Sequence, residues 1–191
     1  DAMKVVRKRG MYMESAVPAG KGGMSAIIGL PADVVEEGCR KAEEESGLCV
    51  VPANYNCPGQ IVVSGDKAAV DRAGELLKEA GAKLVAPLNV SGPFHSPLLK
   101  SAGEKLAEVL TSVKFVPAKL PYVCNVSAEK VTDTSLTADM LVRQVYSPVK
   151  WEQSVRLMLD EGVEEFIEIG PGKTLAGFMK RIDRAIPVIT V

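Results

Sequence analysis

Apolar residues recur along the chain at two spacings, and the switches between them mark out its elements. Met3, Val6 and Met13 stand at helical intervals in residues 1–15, where no proline and no glycine before Gly10 interrupts the run, so an opening helix is predicted. The β-prone run M-S-A-I-I-G-L at 24–30 predicts a strand, and residues 31–45 a helix opened by Pro31 and rich in early carboxylates. Strands follow at 49–53 and 60–64, separated by the turn-forming residues N-Y-N-C-P-G at 54–59. Residues 67–80 return to helical spacing with Val70, Ala73, Leu76 and Leu77 on one face, and 83–90 predict another strand. The order β-α-β-β-α-β is that of a ferredoxin-like unit, in which two helices cover one face of a sheet.

Beyond Ser91 the pattern changes. Helices are predicted at about 98–113, 138–146, 152–161 and 174–182, with strands at 121–126, 165–169 and 187–191. Alternating strands and helices point to a parallel sheet covered by helices, with the smaller unit inserted in it or beside it. About three parallel strands are thin for such a body, so further strands are expected upstream of Asp1. The fold class is therefore α/β. No repeat and no low-complexity linker divides the chain.

Composition narrows the function classes. The chain has 191 residues, 47% hydrophobic and 25% charged, enough for a substantial core in a globular, water-soluble protein. Its formal net charge is −1 and its lysines and arginines are dispersed, so neither nucleic acid nor an anionic membrane surface is expected as a partner. No apolar run approaches membrane-spanning length, and no basic-then-apolar signal opens the chain. Cys39, Cys49, Cys57 and Cys124 form no metal-binding spacing and only one histidine could join them, so no metal site and a reducing compartment are expected.

That histidine, His95, stands in V-S-G-P-F-H-S-P-L between a predicted strand and a predicted helix. Loops of this kind carry catalytic groups in α/β proteins, and imidazole is the side chain best suited to proton transfer near neutral pH. The bland alternative is a loop histidine beside a helix end. No G-x-S-x-G elbow accompanies it: Ser64 and Ser91 lack the flanking glycines and Cys57 lies in a predicted turn, so each reads as structural. Arg9 could present its planar fork to a carboxylate or could lie on a solvated basic face. Gly170-Pro-Gly-Lys-Thr174 is not a phosphate loop, since Ile167 stands where that pattern requires glycine. RNA binding through the small sheet is disfavoured because M-S-A-I-I-G-L and Q-I-V-V-S-G carry no aromatic residue for base stacking.

Six blocks in one order, R-K-R-G-M-Y-M, E-S-A-V-P-A-G-K-G-G-M-S-A-I-I-G-L, P-A-N-Y-N-C-P-G-Q-I-V-V-S-G, V-S-G-P-F-H-S-P-L-L, L-V-R-Q-V-Y-S-P-V-K-W-E-Q-S-V and E-I-G-P-G-K-T-L, resemble the bacterial malonyl-CoA:acyl-carrier-protein transacylase family over essentially the whole chain. The resemblance implies an α/β-hydrolase-like large subdomain (residues 1–18 and 91–191, incomplete) and a ferredoxin-like small one (19–90). It implies an S-malonyltransferase of fatty-acid synthesis in a bacterial cytoplasm. Malonyl would pass from malonyl-CoA through an acyl-serine to the phosphopantetheine thiol of acyl carrier protein, with no resident cofactor. His95 matches the family's general base, Gln144 the residue whose backbone carbonyl orients it, and Arg9 the clamp on the malonyl carboxylate. Met13, Asn56 and Phe94 match positions lining the acyl pocket, and phenylalanine at 94 accompanies malonyl rather than methylmalonyl selection. The family's serine elbow and oxyanion loop belong to a segment preceding Asp1, so the chain alone is expected to be inactive. The resemblance also admits a polyketide-synthase acyltransferase domain, and a non-catalytic piece binding CoA or carrier protein is the alternative from another class. Lys83, Lys100 and Lys105 are candidates to meet an acidic carrier protein.

Overall fold

The computed structural model describes residues 2–191, a mixed α/β fold. The opening helix α1 (Ala2–Ser15) buries Met13, whereas Met3 and Val6 are exposed. Its packed face runs instead through Val5, Tyr12 and Met13, because that is the stripe α4 meets.

Four strands form one antiparallel sheet in the order β2-β3-β1-β4: β1 (Gly22–Ile28), β2 (Val50–Cys57), β3 (Gln60–Asp66) and β4 (Leu84–Pro87). The crossovers are α2 (Ala32–Ser46) and α3 (Lys67–Glu79). Each helix carries a narrow stripe of small and branched residues, Val35, Gly38, Cys39 and Ala42 on α2 and Val70, Ala73 and Leu77 on α3. These stripes pack with Ile27, Val50, Ile61 and Val63 into one core. The two helices come close because Gly38 has no side chain: a Cβ there would lie 2.6 Å from Leu77 Cδ2. The opposite face of the sheet holds Met24, Ala53 and Val62 and receives Phe94 from outside the unit.

Strand β2 is longer than its sequence pattern predicts. Residues 54–57 continue the strand rather than starting the turn, which is reduced to Pro58-Gly59. Asn54 and Tyr55 are held by partners on both sides, β3 on one and Val149 on the other, and local turn propensity yields to that pairing.

The remainder is built on helices. A single 3₁₀ turn (Pro97–Leu99) leads into α4 (Lys100–Leu110), which packs between α1 and α5 (Thr137–Tyr146) around Leu99, Leu106 and Val145. Helices α6 (Trp151–Asp160) and α7 (Thr174–Ile182) complete this part. The predicted three-strand parallel sheet is not formed by the described residues. Strand β5 (Tyr122–Cys124) pairs antiparallel with β6 (Glu129–Val131), a strand too short and too polar to show in the hydrophobic pattern. Among the strands of the described residues only β7 (Phe166–Glu168) and β8 (Val188–Thr190) are parallel neighbours.

Candidate active site

An open cleft of about 590 Å³ lies between α1, the apolar outer face of the small sheet and the loop before α4. Helix α1 contributes Arg9, Met13 and Glu14; β1 and β2 contribute Met24 and Asn54; the loop contributes Ser91, Phe94 and His95. The loop is pressed against the sheet at Gly22, where an added Cβ would fall 2.3 Å from Pro93 Cδ. Glycine at 22 therefore sets how closely the histidine loop approaches the strand that floors the cleft.

His95 has a left-handed backbone, φ 59°. For a residue with a side chain this costs about 1–3 kcal/mol, so the surroundings must impose it. Neighbouring hydrogen bonds do so: Phe94 N–H donates to the Gly92 carbonyl at 3.0 Å, and the buried Ser96 hydroxyl donates to the Pro93 carbonyl at 2.7 Å. The imidazole is half-buried, and its Nδ1 lies 2.9 Å from the carbonyl oxygen of Gln144 at the end of α5. A carbonyl can only accept, so Nδ1 carries the proton in this contact and Nε2 of the neutral ring is left with its lone pair. Burial lowers the His95 pKa below its ordinary value; the Gln144 carbonyl opposes this, the Arg9 charge adds to it, and the Ser147 carbonyl opposes it. The lowered pKa favours the neutral ring.

Arg9 is also half-buried, and burial lowers its pKa. It forms no ion pair with a described residue, whereas Arg40 and Arg156 are paired along their own helices and Arg72 pairs both along α3 and across to Glu45 of α2. A guanidinium withdrawn from water without a carboxylate keeps its five donors available to an anion entering the cleft.

The structure thus brings Arg9, Met13, Phe94 and His95 to one cleft, with Gln144 directly behind the imidazole. Asn56 is not among the cleft's lining residues; Asn54, two residues earlier on β2, is. The register of β2 against β3 shifts between Pro52 and Asn54 and again between Tyr55 and Cys57, so simple alternation does not assign faces along this strand. Met24 and Asn54 went unnoticed in the sequence. Met24 could have been found from the outward parity it shares with Ala26, whereas Asn54 could not. Among the described residues no group of three His, Cys, Asp or Glu side chains could hold a metal ion, and no helix is long and apolar enough to cross a membrane.

Residues 1–185 match the acyl transferase domain model. The chain belongs to the acyl transferase family. Among acyl transferases it is 49% identical over all 191 residues to a malonyl CoA-acyl carrier protein transacylase from Bacillus subtilis (strain 168), covering 60% of that protein. A solved acyl carrier protein S-malonyltransferase from Vibrio cholerae superposes with a TM-score of 0.96 at 46% identity, over 100% of this chain and 61% of that one. A malonyl-transacylase in complex with a holo type II PKS acyl-carrier protein gives a TM-score of 0.96 at 41% identity, over the same shares of the two chains. The chain spans about 60% of the length of these acyl transferase relatives.

Proposed function

We propose that this chain supplies the general base and the carboxylate clamp of a malonyl transfer from malonyl-CoA to the phosphopantetheine thiol of acyl carrier protein, in fatty-acid synthesis. The observation that carries the proposal is the pairing of an unpartnered, half-buried Arg9 with His95 in one cleft, the imidazole already oriented through Nδ1. The names of the relatives and the carrier-protein complex of one of them support the choice of acyl group and partner.

In this reading a serine from sequence beyond these residues attacks the thioester carbonyl. His95 Nε2 takes the serine proton, the carbon–sulfur bond breaks, and the same nitrogen returns the proton to the departing CoA thiolate. The carrier thiol then gives its proton to Nε2 as its sulfur attacks the malonyl-serine ester, and the proton passes back to the serine oxygen. Arg9 holds the free carboxylate of the malonyl group throughout; burying that carboxylate without a cation would cost several kcal/mol. Met13 and Phe94 present apolar surface to the acyl chain, and Phe94 crowds a substituent on its α-carbon. Residues 19–90 act as the small subdomain that walls the cleft, and 1–18 with 91–191 belong to the large one. Lys83, Lys100 and Lys105 are exposed and available to an acidic carrier protein.

The test is a comparison of acyl groups in the longer protein that contains this chain. Arg9→Ala is expected to abolish malonyl transfer while retaining acetyl transfer, because only malonyl brings a second carboxylate. His95→Ala is expected to slow both by about a hundredfold or more. Equal losses of malonyl and acetyl transfer in Arg9→Ala would rule out the clamp, and undiminished turnover in His95→Ala would remove the base.

A further inference from the structure

We propose that Pro148 and the side-chain amide of Gln144 are positioning groups that reserve the Gln144 carbonyl for His95, so that Q-V-Y-S-P fixes the tautomer of the base as well as ending a helix. The proposal rests on the reading of His95 as the base of the cleft.

The argument begins with one carbonyl. In a continuing α-helix the carbonyl of residue 144 would accept the N–H of residue 148. Proline has no N–H, and its ring turns the preceding residue out of helical conformation. Ser147 is accordingly extended, φ −116° and ψ 154°, and α5 stops at Tyr146. The Gln144 carbonyl, deprived of its helical donor by Pro148, is the one that lies 2.9 Å from His95 Nδ1. Any residue with an N–H at 148 would be a competing donor for the same oxygen.

The Gln144 side chain completes the arrangement. Its Nε2 donates to the Ser147 carbonyl at 3.0 Å and to the Pro148 carbonyl at 3.3 Å. Only the NH₂ end of an amide can meet two carbonyls, so the partners fix its orientation. The amide thereby folds the chain back over the helix end and occupies Ser147, the other carbonyl whose field reaches the imidazole. With that oxygen engaged, the Gln144 carbonyl is the favoured acceptor for the ring.

The next residue anchors the device. Val149 N–H donates to the Ala53 carbonyl at 2.8 Å, and Tyr55 N–H donates to the Val149 carbonyl at 2.9 Å, on either side of the cleft-lining Asn54. The segment 144–149 thus connects the acceptor behind the base to the strand that walls the cleft.

His95 is the sole histidine, so imidazole ¹⁵N resonances of the chain report on one ring. In the unmodified chain the neutral ring is expected as the Nδ1–H tautomer, and the Gln144 side-chain NH₂ is expected to exchange more slowly than that of exposed Gln153. Pro148→Ala and Gln144→Met are each expected to move the neutral ring toward the Nε2–H form. In the longer enzyme they should lower kcat about three- to tenfold, the scale of one hydrogen bond, with KM little changed. A lowered melting temperature with the tautomer and kcat unmoved would assign these residues to helix termination alone and overturn the proposal. Should neither variant fold, the unmodified chain decides: a Gln144 amide exchanging as fast as that of Gln153, or a ring in the Nε2–H form, overturns the proposal, and a slowed amide with an Nδ1–H ring supports it. If His95→Ala leaves turnover intact while these variants still shift the tautomer, the catalytic reading fails and the positioning device stands.

Discussion

The small sheet unit and the helices around it solve the problem of burial differently. Between Gly22 and Pro87 two helices close over one sheet face, and the core side chains Val35, Val50, Val63 and Leu77 are wholly inaccessible. The surrounding part holds two separate pairs of three-residue strands, and at its parallel pair Ile167 is 57% exposed, with Ile169 and Val191 just past the strand ends 83% and 76% exposed. Parallel strands are ordinarily covered on both faces, so this surface is apolar without being shielded. The cleft lies at the junction of the two kinds of structure, walled by the rigid one and equipped with His95 and Arg9 by the other. Rigidity and chemistry are thus contributed by different stretches of chain.

The comparison can be broken most forcefully at Leu77. Leu77→Ala is expected to destabilise the chain by about 2–5 kcal/mol in urea denaturation, because the side chain is fully enclosed between α2, α3 and the sheet. A loss below 1 kcal/mol would mean that the small unit is not the rigid partner. Next comes the seam: Gly22→Ala forces a Cβ onto the Pro93 ring and is expected to cost about 1–3 kcal/mol. It should also displace Phe94 and His95, seen as a changed imidazole resonance, so an unshifted ring would show that the two parts are not coupled there.

A smaller effect is expected from pH. Burial lowers the His95 pKa in the folded chain, so the unfolded chain binds more protons as pH falls below about 6.5. The contribution is fully present above the unfolded value and is lost as pH falls through it toward the folded value. His95→Asn should flatten the pH dependence of melting temperature in that window; an unchanged slope would place its origin elsewhere. Least of all, Ile169→Ser should alter stability by under about 0.5 kcal/mol while reducing self-association in sedimentation, since the residue is already exposed. A large stability loss would show that the end of β7 belongs to a core after all.

Legibility in the sequence follows the same division. The βαββαβ order could be read because each element satisfies its own pattern: Val70, Ala73 and Leu77 keep helical spacing, and Ile61 and Val63 keep strand alternation. Beyond Ser91 long-range pairing overrides local pattern, as when Glu129–Val131 becomes a strand by meeting Tyr122–Cys124. The cleft is legible in part. His95 announces itself as the lone histidine in a strand-to-helix loop, but its left-handed backbone does not, because no glycine marks it. Arg9 looks like any surface arginine until its missing partner is noticed. Gln144 came from resemblance, although Pro148 four residues later already signals a carbonyl without a helical donor. Asn54 was hidden by the shifts in register along β2.

The continuity of the small unit also bears on how the protein is made. Every strand of its sheet lies within Gly22–Pro87, so the unit needs nothing later in the chain to close its core. By contrast, the contacts of Arg181 with Gln60 and Pro58 join residues 121 and 123 positions apart. During synthesis the core of the sheet can close while the segment carrying His95 is still emerging from the ribosome, whereas the cleft wall at Asn54 is completed only when the later Val149 pairs beside it. The cleft can thus be assembled in stages, a closed core first, the Val149 pairing beside Asn54 after it and the Arg181 tie last.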